Sequence, residues 1–307
     1  MKYEGLVYDL DEDLYHSLPG LSSTGAKKIL RSPAHYQWYI NSPHETKDEF
    51  DVGSLVHAKV LGVGAKHTVY PDGDGPETYD TFDDKGNPVT LTNVLASNGA
   101  LSTKAARAFA AEARDHGLIP VKRVTARVVD KMAESILAHD EARALLEGGA
   151  AEVSMFATDP EGGVDLRGRL DYLRPGRTIA DVKTTAGEAS ETEFAKAFAR
   201  HGYDVQFGLY DRIYTQITGE VLPFVWVVVE TEAPYLTNVF TLDEDFERMG
   251  RARAARAVQR YTQARDRNRW GGYENAGNRR IGTLKPPQFA IYDEIDAELA
   301  DTKGLAA

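Results

Sequence analysis

The sequence contains no cysteine, which excludes disulfides, thiolate zinc sites and thiolate-held iron–sulfur clusters. Any metal this chain holds is bound through oxygen or histidine. No stretch approaches the ~20 consecutive apolar residues of a membrane span. The opening residues carry Asp9, Asp11, Glu12 and Asp13 where a secretory signal would be basic and then apolar. The expectation is a cytoplasmic protein with no membrane partner. Positive charge is in deficit as well: 36 Lys and Arg face 47 Asp and Glu, a net charge of −11. Neutralising phosphates takes Lys and Arg, so a polyanion would be bound only where cations are gathered locally.

One such gathering exists. Ten arginines fall between Arg248 and Arg280, most of them on a helix predicted to end near Trp270. Two readings fit them: a solvated, salt-bridged helix, and a phosphate-tracking or subunit-contact helix.

What is present otherwise describes an ordinary globular chain. At 307 residues, 42% hydrophobic and 27% charged, it can bury a sizeable core. A single domain over 1–307 is expected, mainly helical over 1–150, with a sheet core over 151–242 and a basic helix and tail over 243–307. Ser22 or Ser23 caps a helix before Ala26-Lys27-Lys28-Ile29-Leu30, and Pro33 opens the next. Asp72-Gly73-Asp74-Gly75-Pro76 and Asp84-Lys85-Gly86-Asn87-Pro88 mark 66–102 as turns with a small hairpin. Helices are predicted over 103–116, 125–146, 191–200 (closed by Gly202) and 203–217. Pro223 to Val229 is apolar enough to be a strand buried on both faces, and 235–242 alternates beside it. The pattern is α/β, a mixed sheet flanked by helices.

The most informative stretch is Gly168-Arg169-Leu170-Asp171-Tyr172, a Pro175-Gly176 turn, and Ile179-Ala180-Asp181-Val182-Lys183-Thr184-Thr185. Alternate strand residues share a face, so Asp181 and Lys183 project together with Val182 opposed. On the first strand Val164, Leu166, Leu170 and Tyr172 take one face, and Asp165, Arg167, Arg169 and Asp171 the other. A loop over 175–177 pairs residues whose numbers sum to a constant and sets Asp171 opposite Asp181, β-carbons ~5 Å apart. Carboxylates that close repel unless a divalent cation lies between them, and oxygen ligation suits Mg²⁺, with Mn²⁺ as substitute. The plainer alternative is that both aspartates flank a turn and Lys183 is a solvated strand lysine. Further along, Gln206 and Tyr210 are four apart on one helix face. His57 sits in Gly53-Ser54-Leu55-Val56-His57-Ala58, and Glu152 opens the strand before Asp171.

The order His57, Glu152, Asp171, Asp181-x-Lys183, Gln206-x-x-x-Tyr210 resembles the PD-(D/E)XK nuclease superfamily, in its RecB-type branch. More closely it resembles the RecE-type exonucleases (exodeoxyribonuclease VIII) of phages and prophages. Tyr15 to Thr24 is similar to that group's start, and Arg260 to Tyr273 to its closing segment. Trp270 is followed by Gly271 where the group would place proline, and 66–102 is idiosyncratic. The resemblance implies a restriction-endonuclease-like mixed central sheet with helical N-terminal additions. It implies that Asp171 and Asp181 hold one or two Mg²⁺, with the Val182 carbonyl as a further ligand and Glu152 and His57 completing a second site. Lys183 would orient or deprotonate the attacking water, and Gln206 and Tyr210 at the helix surface would hold the DNA backbone or the lysine.

The activity so implied is Mg²⁺-dependent hydrolysis of DNA from duplex ends, 5′ to 3′. It leaves a 3′ single strand for recombination by a RecT-like annealing protein, with the enzyme a homo-oligomeric ring in a bacterial or phage-infected cell. An endonuclease or flap nuclease of the same fold, and a catalytically silent DNA-end-binding module, are the alternatives. Crowded carboxylates are strained without metal, so Asp181→Ala is expected to leave stability in chelator unchanged or raised.

Overall fold

A computed structural model describes residues 3–42, 49–273, 281 and 283–304. The chain begins with strand β1 (Gly5–Val7) and the helices α1 (Glu12–Ser17), α2 (Ser23–Arg31), α3 (Pro33–Asn41) and α4 (Glu49–Leu61). Ser22 caps α2 by accepting from the Gly25 N–H, and Ser32 caps α3 through the His35 N–H. The predicted turn region holds β2 (Lys66–Val69) and a hairpin of β3 (Tyr79–Phe82) and β4 (Pro88–Leu91). The hairpin's loop is fixed by the Asp83 carboxylate, which accepts from the backbone of Lys85 and Asn87. Next come α5 (Lys104–Asp115), β5 (Leu118–Val121), α6 (Arg123–Ala138) and α7 (Asp140–Leu145). β5 was not anticipated; it pairs in parallel with β2. The single helix expected over 125–146 is two, because His139 turns extended and caps α7.

The remaining elements are β6 (Ala150–Thr158), β7 (Asp165–Arg174), β8 (Thr178–Thr185), α8 (Glu191–His201), α9 (Tyr203–Thr218), β9 (Phe224–Glu230), β10 (Thr237–Thr241), α10 (Glu244–Asp266) and α11 (Gln288–Gly304). Six strands make the central sheet in the order β1-β6-β7-β8-β9-β10. Only β8 and β9 run parallel, since α8 and α9 carry the chain back between them and a parallel pair needs such a crossover. The chain falls into two compact units, residues 1–270 and 271–307; the sheet and every element through α10 belong to the first, α11 to the second.

Both faces of the sheet are covered. Leu166, Leu170, Leu173, Ile179, Trp226 and Val228 pack on one side with α2, α9 and α10. Tyr172, Ala180, Val182, Val227 and Val229 pack on the other with α4 and α6. As the apolar run predicted, Trp226 to Val229 is fully buried.

One face assignment is corrected. Leu170 and Tyr172 were placed on the same side and lie on opposite ones. On β6 the side likewise changes between Ala151 and Val153. The strands keep a constant register from Ala150–Leu173 to Thr158–Asp165, except that Glu152 and Asp171 do not pair. Glu152 has φ of +54°, and one left-handed residue is enough to break the two-residue alternation.

The basic helix is largely absorbed by structure. On α10, Arg253 is bonded to both oxygens of the buried Asp204, Arg251 to Asp211 and Glu247, and Arg248 to Asp245. Arg260 and Arg265 donate to the carbonyls of Leu30, Gly162 and Gly163. These contacts favour the salt-bridged reading for the described part; Arg279 and Arg280 lie outside the described residues. Among the described residues no helix is long and apolar enough to cross a membrane.

Candidate metal centre and active site

The predicted hairpin register is observed: Arg174 pairs with Thr178, Leu173 with Ile179 and Tyr172 with Ala180. Asp171 opposite Asp181 would be the next pair, and there the ladder stops. Asp171 instead accepts the Val182 backbone N–H on its own Oδ2 at 2.8 Å. At this one residue β7 skips a pair with β6, at Glu152, and parts from β8, at Asp181, so the sheet opens into a fork between β7 and β8.

On the open side of the fork His57, Glu152 and Asp171 converge, with one ligand atom of each within 4.8 Å of the others. α4 delivers His57. Its Nε2–H donates to the Val182 carbonyl at 2.6 Å, which leaves Nδ1 facing Asp171 Oδ2 at 3.4 Å. A neutral imidazole fixed this way presents the Nδ1 lone pair to a cation. Glu152 is supported by Arg169 at 3.7 Å, and Arg169 is itself bound to Ser154 Oγ and the Leu10 carbonyl and stacked 4.5 Å from the Tyr15 ring. Burial and the Asp171 charge push the Glu152 carboxyl up to about 7, more than Arg169 draws it down. Two of the three donors, His57 and Glu152, line a cleft of ≈ 170 Å³ with Glu12, Gly53, Ser54, Gly64 and Ala65.

The other side is packed. Asp181 is 1% exposed, with Oδ1 ion-paired to Lys183 and Oδ2 accepting from Gln206 Nε2 at 2.5 Å. Burial and then Asp171 raise its carboxyl to about 6 against the pull of Lys183. Burial works to lower the Lys183 ammonium, but Asp181 and Asp171 overcome it and hold the group above its usual range. The ammonium lies 5.3 Å from the Tyr203 ring centroid and 5.4 Å from that of Trp226.

The structure therefore sorts the expected residues. It gathers His57, Glu152 and Asp171 into one cluster and sets Asp181, Lys183 and Gln206 in a second, joined through the Asp171–Val182 bond. The Val182 carbonyl, expected to face a metal, accepts from His57 and lies 3.5 Å from Lys183 Nζ. Gln206 and Tyr210, expected at the helix surface, are buried and face the sheet. Tyr210 is hydrogen-bonded to Ser23, and burial keeps its hydroxyl protonated. Its ring lies against Gly168, where a Cβ would come within 2.8 Å of it. Tyr203, Trp226 and Lys27, which surround Lys183, were missed: Lys27 reads as a surface helix lysine, and Trp226 is lost in an apolar run.

The donor set of one imidazole and two carboxylates, crowded and short of positive charge, fits a divalent cation. Residues 22–279 match the PDDEXK-like domain of unknown function (DUF3799). The chain belongs to that family. Its fold is also that of a crystal structure from Eubacterium rectale described as a "Putative exonuclease", at TM-score 0.56 and 15% identity, covering 92% of this chain and 96% of that one. No curated protein matches the chain. The PDDEXK-like chain thus has the mixed sheet of the nuclease superfamily, as its motif order implied.

Proposed function

We propose that this PDDEXK-like protein is a metal-dependent DNA exonuclease that hydrolyses phosphodiester bonds from duplex ends, with Mg²⁺ as the cation and Mn²⁺ as substitute. The observation that carries the reading is the meeting, at one fork in the sheet, of the His57–Glu152–Asp171 cluster with a lysine kept protonated by Asp181. When bound, a divalent cation supplies Lewis acidity to the phosphoryl oxygen and an acidified water. His57, Glu152 and Asp171 would hold it, with Asp181 held back one residue away.

Each side chain then has a task set by its contacts. Lys183, cationic at neutral pH, stabilises charge growing on the phosphoryl group and orients the attacking water; a group held that firmly protonated is a poor base. Gln206 fixes the Asp181 carboxylate so that Lys183 keeps one position. Val182 serves two ways, its N–H aiming Asp171 and its carbonyl setting the tautomer of His57. Tyr210 closes α9 onto β7 over Gly168 and acts on the site only through packing.

Digestion polarity of 5′ to 3′, a 3′ single-stranded product, a RecT-like annealing partner and a ring assembly in the bacterial cytoplasm complete the proposal; they rest on the resemblance to RecE-type exonucleases alone. The test is a closed circular plasmid against the same plasmid linearised and end-labelled, with Mg²⁺. Degradation of the linear form alone fits the exonuclease. Cutting of the closed circle would replace it with an endonuclease, and no Mg²⁺-dependent product from either would sink the reading.

A further inference from the structure

A protein of net charge −11 that handles nucleic acid must collect its cations at the site, and the α10 arginines described above are largely committed to carboxylates and carbonyls. Near Lys183 one further cation has no partner of its own. Lys27 of α2 lies with its ammonium 5.0 Å from the centroid of Tyr203, the same ring that seats Lys183. The two nearby carboxylates are already engaged, Asp181 by Lys183 and Gln206, Asp204 by Arg253. Asp171 adds its charge at Lys183, yet among the described residues Lys27 has neither an ion pair nor a hydrogen bond. Burial and then Lys183 lower its pKa to about 8, more than Asp181 and Asp204 raise it. Its stem lies along Gly202, 3.6 Å from where a Cβ there would stand, so the chain's direction is set by the α8–α9 corner.

Resting on the nuclease reading, we propose that Lys27 is a substrate contact: with Lys183, across the Tyr203 ring, it forms a two-cation seat for a backbone phosphate of the bound DNA strand. A phosphate there supplies the counter-charge that Lys27 lacks, and the aromatic ring beside both ammonium groups favours them without neutralising either. The contact is to the backbone, so it serves every sequence alike.

The test compares wild type with Lys27→Met, which keeps the stem on Gly202 and removes the charge, and Lys27→Arg, which keeps the charge. Mg²⁺-dependent cleavage of a labelled linear duplex is followed over a series of KCl concentrations, with melting curves for each protein. Lys27→Met is expected to lower kcat/KM about tenfold at low salt, mainly through KM, and to make log kcat/KM less steep in log [KCl] by about one. Lys27→Arg restores the slope and most of the rate, and all three proteins melt alike. An active wild type with an unchanged slope and rate in Lys27→Met overturns the phosphate seat alone. Equal losses in Lys27→Arg, with lower melting temperatures, show a packing role and overturn it too. A wild type with no cleavage at all fails the nuclease reading instead.

Discussion

The two sides of the fork use the same side-chain chemistry to opposite ends. Asp181 is buried, yet each of its oxygens has a partner in the protein. Glu152, at 29% side-chain exposure and on a left-handed backbone, faces another carboxylate and has the Arg169 guanidinium at 3.7 Å. The first acid is balanced within the fold, and the second is balanced only in part, since burial and Asp171 outweigh Arg169. A residue in left-handed φ that is not glycine costs on the order of 1–3 kcal/mol and persists where the surroundings dictate it. On the proposed reading, burial alone does not mark a metal ligand; incomplete internal compensation does.

The sharpest way to break this contrast is to remove the balanced acid. Asp181→Ala leaves Lys183 buried and unpaired, and should cost ~3–5 kcal/mol in urea unfolding in chelator. This reverses the expectation drawn from sequence, that the substitution would be neutral or stabilising. A variant as stable as wild type would show that the two sides do not differ.

Glu152→Gln should do the opposite, raising stability in chelator at pH 8 by ~2 kcal/mol; the full linkage value is reduced because the side chain keeps some water. Wild type should gain melting temperature on addition of Mg²⁺ by mass action, and Glu152→Gln should gain less. An identical Mg²⁺ shift in both proteins would remove Glu152 from the centre.

The pH dependence sharpens the same point. The folded-state pKa of Glu152, about 7, lies above its ordinary value of 4.5. Between those two values the folded protein binds more protons than the unfolded chain, so stability falls as pH rises. Asp181, raised to about 6, adds to the same slope. Denaturant midpoints in chelator should therefore decline from pH 4.5 to pH 7 in wild type, and decline less in Glu152→Gln. A flat or rising profile in wild type would mean that the crowding is relieved within the protein.

The smallest effect belongs to the exposed side of α10. Arg256→Ala should change stability by no more than ~0.5 kcal/mol, whereas Arg253→Ala strands the buried Asp204 and should cost several times that.

How much was legible beforehand differs by residue. Asp171, Asp181 and Lys183 could be found because strand alternation and the Pro175-Gly176 turn are local, and the turn fixes which residues meet. Ser22 capped the start of α2, Pro33 opened α3 and Gly202 closed α8 where their chemistry predicted. β5 was missed because four residues ending in Pro120-Val121 carry no alternation of their own and become a strand only against β2. Lys27 could not be recognised, since its neighbour Tyr203 is far away in sequence.

Sequence by itself thus determined the alternating strands, the hairpin register, the buried β9 and the set of acids and cations. Each follows from backbone periodicity and turn closure within a few residues. Only the tertiary structure decided that β7 and β8 part at Asp171 and Asp181, that Asp181 is balanced while Glu152 is balanced only in part, and that two lysines share one ring. Those outcomes depend on which elements pack together and on how burial weighs each charge against its neighbours, and neither quantity is written in any local stretch of the chain.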